Sequence, residues 1–105
     1  MSGSREKIYH VVLPERWAEL DEAEDYVHES LAAEGFIHCS FRDQVDAVIE
    51  RYYRDVRSLI VLEIDPEKLT SELLIEPSTG GEKYPHIYGA INRSAVIGIE
   101  NRDRA

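Results

Sequence analysis

Three short apolar, aromatic segments each carry a histidine: IYHVV around His10, GFIHCS around His38 and YPHIYG around His86. Imidazole is the one side chain that changes charge near neutral pH without help from its surroundings. Held in apolar segments, such residues suit proton transfer, the anchoring of a polar ligand, or metal ligation. The bland alternative for each is a packed residue whose two nitrogens find partners in the core. Convergence of two or three on one pocket separates these readings. The fourth histidine, His28, stands among acidic residues on an expected helix and reads as solvated surface.

Strand parity constrains how the histidines combine, because alternate residues point to opposite faces. His10 shares a face with Ile8 and Val12. His38 shares one with Phe36 and Ser40, while Ile37 and Cys39 point the other way. His38 and Cys39 therefore cannot both serve one site from a regular strand. No second cysteine and no helical His pair is present to make a zinc signature. A site built from His10, His38 and His86 stays geometrically open, but no metal is expected. Cys39 reads as a small buried hydrophobe.

Two carboxylates sit where a site could use them. Glu63 shares parity with Leu59 and Val61 in an expected central strand, and Glu76 closes a strand just before a glycine turn. The segment YPHIYGAIN that follows is expected to be an irregular loop. It gathers Tyr84, His86, Tyr88 and Asn92, a set able to grip a planar or polar ligand.

The chain has 105 residues, 12 basic and 21 acidic, for a formal charge of −9 and a pI near 4.8. Such a surface repels phosphate backbones and anionic lipid, so nucleic acid and membrane are not expected partners. The absence of a signal-like start or a long apolar run, with one cysteine, leads to the expectation of a cytoplasmic protein in a reducing compartment.

The elements that must position these residues follow from period and punctuation. Ile8 to Leu13 reads as a strand buried on both faces, stopped by Pro14, which opens a short helix with Trp17, Leu20 and Ala23 or Ala18 facing inward. Tyr26 to Glu34 reads as a second helix capped by Gly35, and Phe36 to Ser40 as a strand. Val45, Val48, Ile49, Tyr52 and Tyr53 recur at helical spacing, with Ser40 or Asp43 available as cap. Leu59 to Ile64 reads as a central strand, Asp65-Pro66 as the start of a brief helix, Leu73 to Glu76 and Ala95 to Ile99 as further strands. The class is α+β, one compact domain over residues 8–101, with flexible ends at 1–7 and 102–105.

Taken together, IYHVV, the tryptophan seven residues beyond its histidine, SLAAEGFIHCS, the QV-helix with RYYR, LIVLEID and YPHIYGAIN resemble the bacterial Domain of Unknown Function 952 family over about residues 8 to 97. The DEAEDYVHES stretch is more acidic and helical than the glycine-containing turn associated with that place. The resemblance implies an ADP-ribosyltransferase-like fold in which two small sheets flank a cleft that holds NAD. In such enzymes a first-strand residue anchors the dinucleotide, aromatics stack on the nicotinamide, and a carboxylate bonds the ribose. It implies catalytic roles for His10, for His38 and for Glu76 or Glu63. A ligand-binding set follows of Trp17, Ser40, Tyr53 (or Tyr52), Tyr84, His86, Tyr88 and Asn92, with NAD or a related nucleotide as the ligand.

Three functions are therefore weighed. The first is a nucleotide- or metabolite-binding domain with ribosyl-transfer chemistry. The second is a non-catalytic ligand- or protein-binding module, and the third a metal-dependent hydrolase.

Overall fold

The computed structural model describes residues 6–20 and 24–103. The expected flexible residues 1–5 and 104–105, and the inward-facing role of Ala23, lie outside the described residues.

The first strand, β1 (Ile8–Val12), is buried along its whole length, as its unbroken apolar run requires. Ile8 and Val12 face an apolar core between two sheets, and Tyr9 and Val11 face a second core on the other side. Pro14 occupies the first turn of α1 (Pro14–Ala18), where its missing N–H costs nothing. Trp17 and Leu20 are partly buried against the inter-sheet core. The second helix is shorter than expected: α2 spans Glu29–Glu34 and ends on Gly35 in the left-handed region, φ 90°. Tyr26 lies outside it, forming an isolated antiparallel bridge with Ile91.

The segment expected as one strand from Phe36 to Ser40 divides in two. β2 (Ile37–His38) belongs to one sheet and β3 (Ser40–Phe41) to the other, so the chain crosses between sheets at Cys39. The parity read from sequence holds within β2, with Ile37 buried and His38 exposed, but not past the crossing, where Cys39 and Ser40 are both buried. Because the strand is not regular there, His38 and Cys39 border the same cleft, which corrects the expectation that they could not. A 3-10 turn over Arg42–Gln44 leads into α3 (Val45–Tyr52), whose Val45 and Ile49 pack on the Tyr9/Val11 face. Neither Ser40 nor Asp43 caps it. The Gln44 amide oxygen instead accepts from the Phe41 N–H at 2.9 Å.

β4 (Ser58–Ile64) is interior as its apolarity demands, lying between β1 and β7 in the order β3-β1-β4-β7. Asp65 caps the Pro66–Lys68 turn by accepting from the Glu67 N–H. β5 (Glu72–Pro77) and β2 flank β6 (Lys83–Tyr88) in the second sheet, also antiparallel. β6 corrects the expectation of an irregular loop at YPHIYGAIN: its first half is the middle strand. Pro85 is tolerated there because its carbonyl accepts from the Cys39 N–H at 3.0 Å while its missing N–H falls where β2 ends and the chain departs. The last strand, β7 (Val96–Asp103), runs past the expected end at Ile99, pairing Asp103 with Ser58, so Arg102 and Asp103 belong to the sheet. The whole is α+β: α3, the four-stranded sheet, the apolar core and the three-stranded sheet in layers.

Candidate functional site

Because β3 pairs only with Ile8 and Tyr9 of β1, the rest of that edge of β1 is uncovered, and a cleft of about 520 Å³ opens there. Tyr9, His10 and Val11 line it from β1, and His38, Cys39 and Ser40 from the crossing segment. Arg51, Tyr52 and Tyr53 line it from the end of α3, Tyr84 from β6, and His28 and Glu34 from either end of α2.

Of the candidates, His10, His38, Ser40, Tyr53 and Tyr84 line this cleft. His10 is buried and fully engaged. Its Nδ1–H donates to the His38 carbonyl at 2.7 Å, and its Nε2 accepts from the Tyr26 hydroxyl at 3.0 Å. A carbonyl can only accept, which fixes the tautomer. Burial pushes the imidazole down to about 4, outweighing the hydrogen bond to His38, so it is neutral at pH 7. His38 differs: its side chain is 46% exposed, and Nε2–H lies 3.2 Å from both oxygens of Glu34. Cys39 is buried, and desolvation holds its thiol protonated.

The remaining candidates lie outside the cleft. Glu76, His86 and Tyr88 form a cluster of their own on the second sheet, where Glu76 Oε1 accepts from His86 Nδ1–H at 2.8 Å and from the Tyr88 hydroxyl at 2.6 Å. These bonds, Tyr88's first, hold the Glu76 carboxyl below its ordinary range. Phe36 stacks on His86 at 4.2 Å and covers it. Its Nε2 has no hydrogen-bond partner among the described residues. His38 and His86 are direct cross-strand partners with ring centroids 5.4 Å apart, so the third histidine backs the cleft's rim without entering it.

Trp17 lies under the Arg93 guanidinium at 4.2 Å. Asn92 spends its amide internally: its oxygen accepts from the Thr70 N–H and hydroxyl, and its NH₂ donates to the Lys68 carbonyl and Ser94 Oγ. Glu63 accepts from the Tyr9 hydroxyl at 3.4 Å, also away from the cleft.

His28, Glu34 and Arg51 are among the cleft residues missed in the sequence. His28, read as solvated, is half-buried and caps α2, its Nδ1 accepting from the Ser30 N–H at 3.0 Å. Its ring lies 5.3 Å from that of His10, and burial lowers its pKa. Histidine is not among the usual N-cap residues, so no signal marked it. Glu34 supplies the cleft carboxylate in place of Glu76 or Glu63, and its spacing of four residues from His38 was the available cue. Arg51, one turn beyond Val48 on α3, brings a cation beside the Tyr52 ring, 5.9 Å from its centroid.

Among the described residues no three His, Cys, Asp or Glu side chains gather as a metal site. Elemental analysis of the purified protein is expected to find less than one-tenth equivalent of zinc, and chelator to leave the melting temperature unchanged. One equivalent of tightly held metal, lost together with stability, would overturn this. No helix among the described residues is long and apolar enough to cross a membrane.

No curated protein matches the chain. Among solved structures, the crystal structure of protein CC0527 from Caulobacter crescentus is similar at 26% identity and a TM-score of 0.80, over 90% of this chain and 84% of that one. The solution NMR structure of CC0527 gives 28% identity and a TM-score of 0.73, over 92% and 83%. The sequence matches the family described as Protein of unknown function (DUF952) over residues 11–99. GFIHCS, one of the segments that carried the resemblance, forms the crossing between sheets that borders the cleft, and the chain belongs to the DUF952 family.

Proposed function

We propose that the cleft binds a nucleotide or related small metabolite of the NAD type. The observation that carries this reading is the cleft itself: a concavity of about 520 Å³ between two sheets, walled by Tyr52, Tyr53 and Tyr84, with Arg51 and imidazoles among its polar groups. Small-molecule sites typically span about 300–1,000 Å³ and combine apolar walls with a few placed polar groups. The tyrosine faces suit a planar base, and the cation suits a phosphate. A concavity lined by residues of both sheets supports the cleft that the ADP-ribosyltransferase resemblance implies. Ribosyl transfer is the chemistry that resemblance implies, with Glu34 the carboxylate placed to face positive charge developing on a ribose.

One observation favours the second reading, a non-catalytic binding module. His10 has both nitrogens committed within the protein and is not free to act as a base. His38, exposed and oriented by Glu34, is the imidazole available to a ligand.

Thermal melts with NAD and ADP-ribose test the binding step. A ligand that binds only the folded state stabilises by about 2.7 kcal/mol at one hundred times its dissociation constant, so the melting temperature is expected to climb with the logarithm of concentration. His38→Ala, at an exposed position, is expected to leave the unliganded melt nearly unchanged and to remove most of the climb. No shift with any nucleotide at millimolar concentration would overturn the reading. Release of nicotinamide from NAD by the wild type, and its loss in Glu34→Gln, separates the enzyme from the module.

A further inference from the structure

Glu76, His86 and Tyr88 lie outside the cleft, yet they form an array that ends on His38, which lines it. His86 stands on the middle strand of the second sheet, opposite His38 in register, and is 3% exposed. A carboxylate can only accept, so His86 Nδ1 carries the hydrogen it donates to Glu76. With Nε2 unpartnered among the described residues, that bond is the one polar hold on the ring. The Tyr88 hydroxyl donates to the same carboxylate oxygen at 2.6 Å and fixes Glu76 from the exposed side.

Phe36 completes the array. It follows Gly35, the left-handed end of α2, and its ring stacks on His86 at 4.2 Å and 22° while meeting His38 at 4.8 Å and 62°. His38 and His86 meet at 5.4 Å and 78°. Stacked and edge-on ring pairs at such separations prefer particular tilts, so a turn of the His86 ring would break its contacts with both neighbours. We infer that His86 is a positioning residue for His38: Glu76 and Tyr88 fix the His86 ring, and His86 with Phe36 fixes the imidazole that faces the cleft. Glu34 alone, bonded to the exposed end of His38 at Nε2, leaves the ring free to swing with it. This rests on the reading of His38 as the imidazole that meets the ligand, and adds what holds it there beforehand. A side chain ordered in advance loses less freedom on binding, an advantage of about threefold to tenfold in affinity.

Nitrogen-15 spectra of the histidine rings and carbon-13 relaxation of the His38 ring, recorded without ligand on the wild type, Glu76→Ala, Glu76→Gln and Phe36→Leu, test this. The wild type is expected to carry the His86 hydrogen on Nδ1 and to give a His38 ring order parameter above about 0.8, close to that of rigid backbone. Glu76→Ala is expected to lose the Nδ1–H form and to drop the His38 ring below about 0.6, with the backbone order of β2 unchanged. Glu76→Gln, whose amide oxygen still accepts, is expected to restore both. Phe36→Leu is expected to loosen His38 while the His86 tautomer stays, and it decides the matter should Glu76→Ala not fold. A His38 ring as ordered in Glu76→Ala and Phe36→Leu as in the wild type, or a wild-type ring already mobile, overturns the proposal. In titrations with NAD, Glu76→Ala is expected to bind about threefold to tenfold more weakly than the wild type and Glu76→Gln equally well; equal affinity in Glu76→Ala also overturns it. Failure of the wild type to bind any nucleotide overturns the nucleotide reading, and the ring measurements then decide the positioning of His38 by themselves.

Discussion

Val61→Asp is expected to abolish folding. Val61 is 3% exposed on interior strand β4, packed with Val11, Val45 and Ile49 beneath α3. Its register partners are Val11 on β1 and Glu100 on β7. An aspartate there has Val11 and Glu100 opposite it, and the cation on that face of β7, Arg102, is already bonded to Glu100 and Asp46. Leaving a buried charge unpaired costs about 3–5 kcal/mol, set against a total stability of about 5–15 kcal/mol for a domain. Ile75→Asp is the control, since Ile75 is 46% exposed on edge strand β5. Circular dichroism and thermal melts of the two variants check the expectation. A soluble Val61→Asp protein with a cooperative melt would falsify the interior placement.

The second large effect is acid destabilisation through His10. Its pKa in the folded protein is pushed from 6.5 down to about 4, chiefly by burial. Between those values the unfolded chain binds a proton that the folded one does not, so stability is lost as pH falls from 6.5 and the loss is complete below about 4. The difference corresponds to roughly 3 kcal/mol. His28, also lowered by burial, acts in the same direction. Glu76, held below 4.5, contributes its loss only at more acid pH. Denaturant unfolding between pH 7 and 4 is expected to show this decline in the wild type and a shallower one in His10→Gln. Parallel curves for the two proteins would assign the acid sensitivity elsewhere. The same environment makes His10→Ala a poor probe of ligand binding, because it strands the His38 carbonyl and the Tyr26 hydroxyl in the interior.

What was legible in the sequence was whatever one period or one punctuation mark decides. The continuous apolar runs of β1 and β4, the helical spacing from Val45 to Tyr52, Pro14 at a helix start, Asp65 as a cap and Gly35 as a terminator all act within a few residues. What depended on a distant partner was not legible. Pro85 and Gly89 marked YPHIYGAIN as a loop, yet β6 can hold a proline because β2 stops beside it. Asn92 and Tyr88 looked like ligand contacts because their hydrogen-bonding capacity was visible, whereas most of the groups that consume it, Lys68 and Thr70 for Asn92 and Glu76 for Tyr88, lie far along the chain or across strands. The charged end of β7 hid a strand whose Arg102 pairs with Asp46 at 2.6 Å. For the site, parity placed His10 with Ile8 and Val12, but the change of sheet at Cys39, which no local period shows, brings His38, Cys39 and Ser40 to one cleft with His10 and leaves His86 outside it.

That crossing makes one residue the sole spacer between two registers. His38 is locked opposite His86 in one sheet and Ser40 opposite Tyr9 in the other, with Cys39 alone between them. Lengthening the chain there by one residue would slip one of the two pairings and turn its side chains to the wrong face. Insertions are tolerated where a loop has slack, and this joint has none. The two sheets therefore cannot choose their alignments separately: the grammar of the fold admits variation in the turns around the cleft but fixes, to the residue, the length of the hinge that forms its floor.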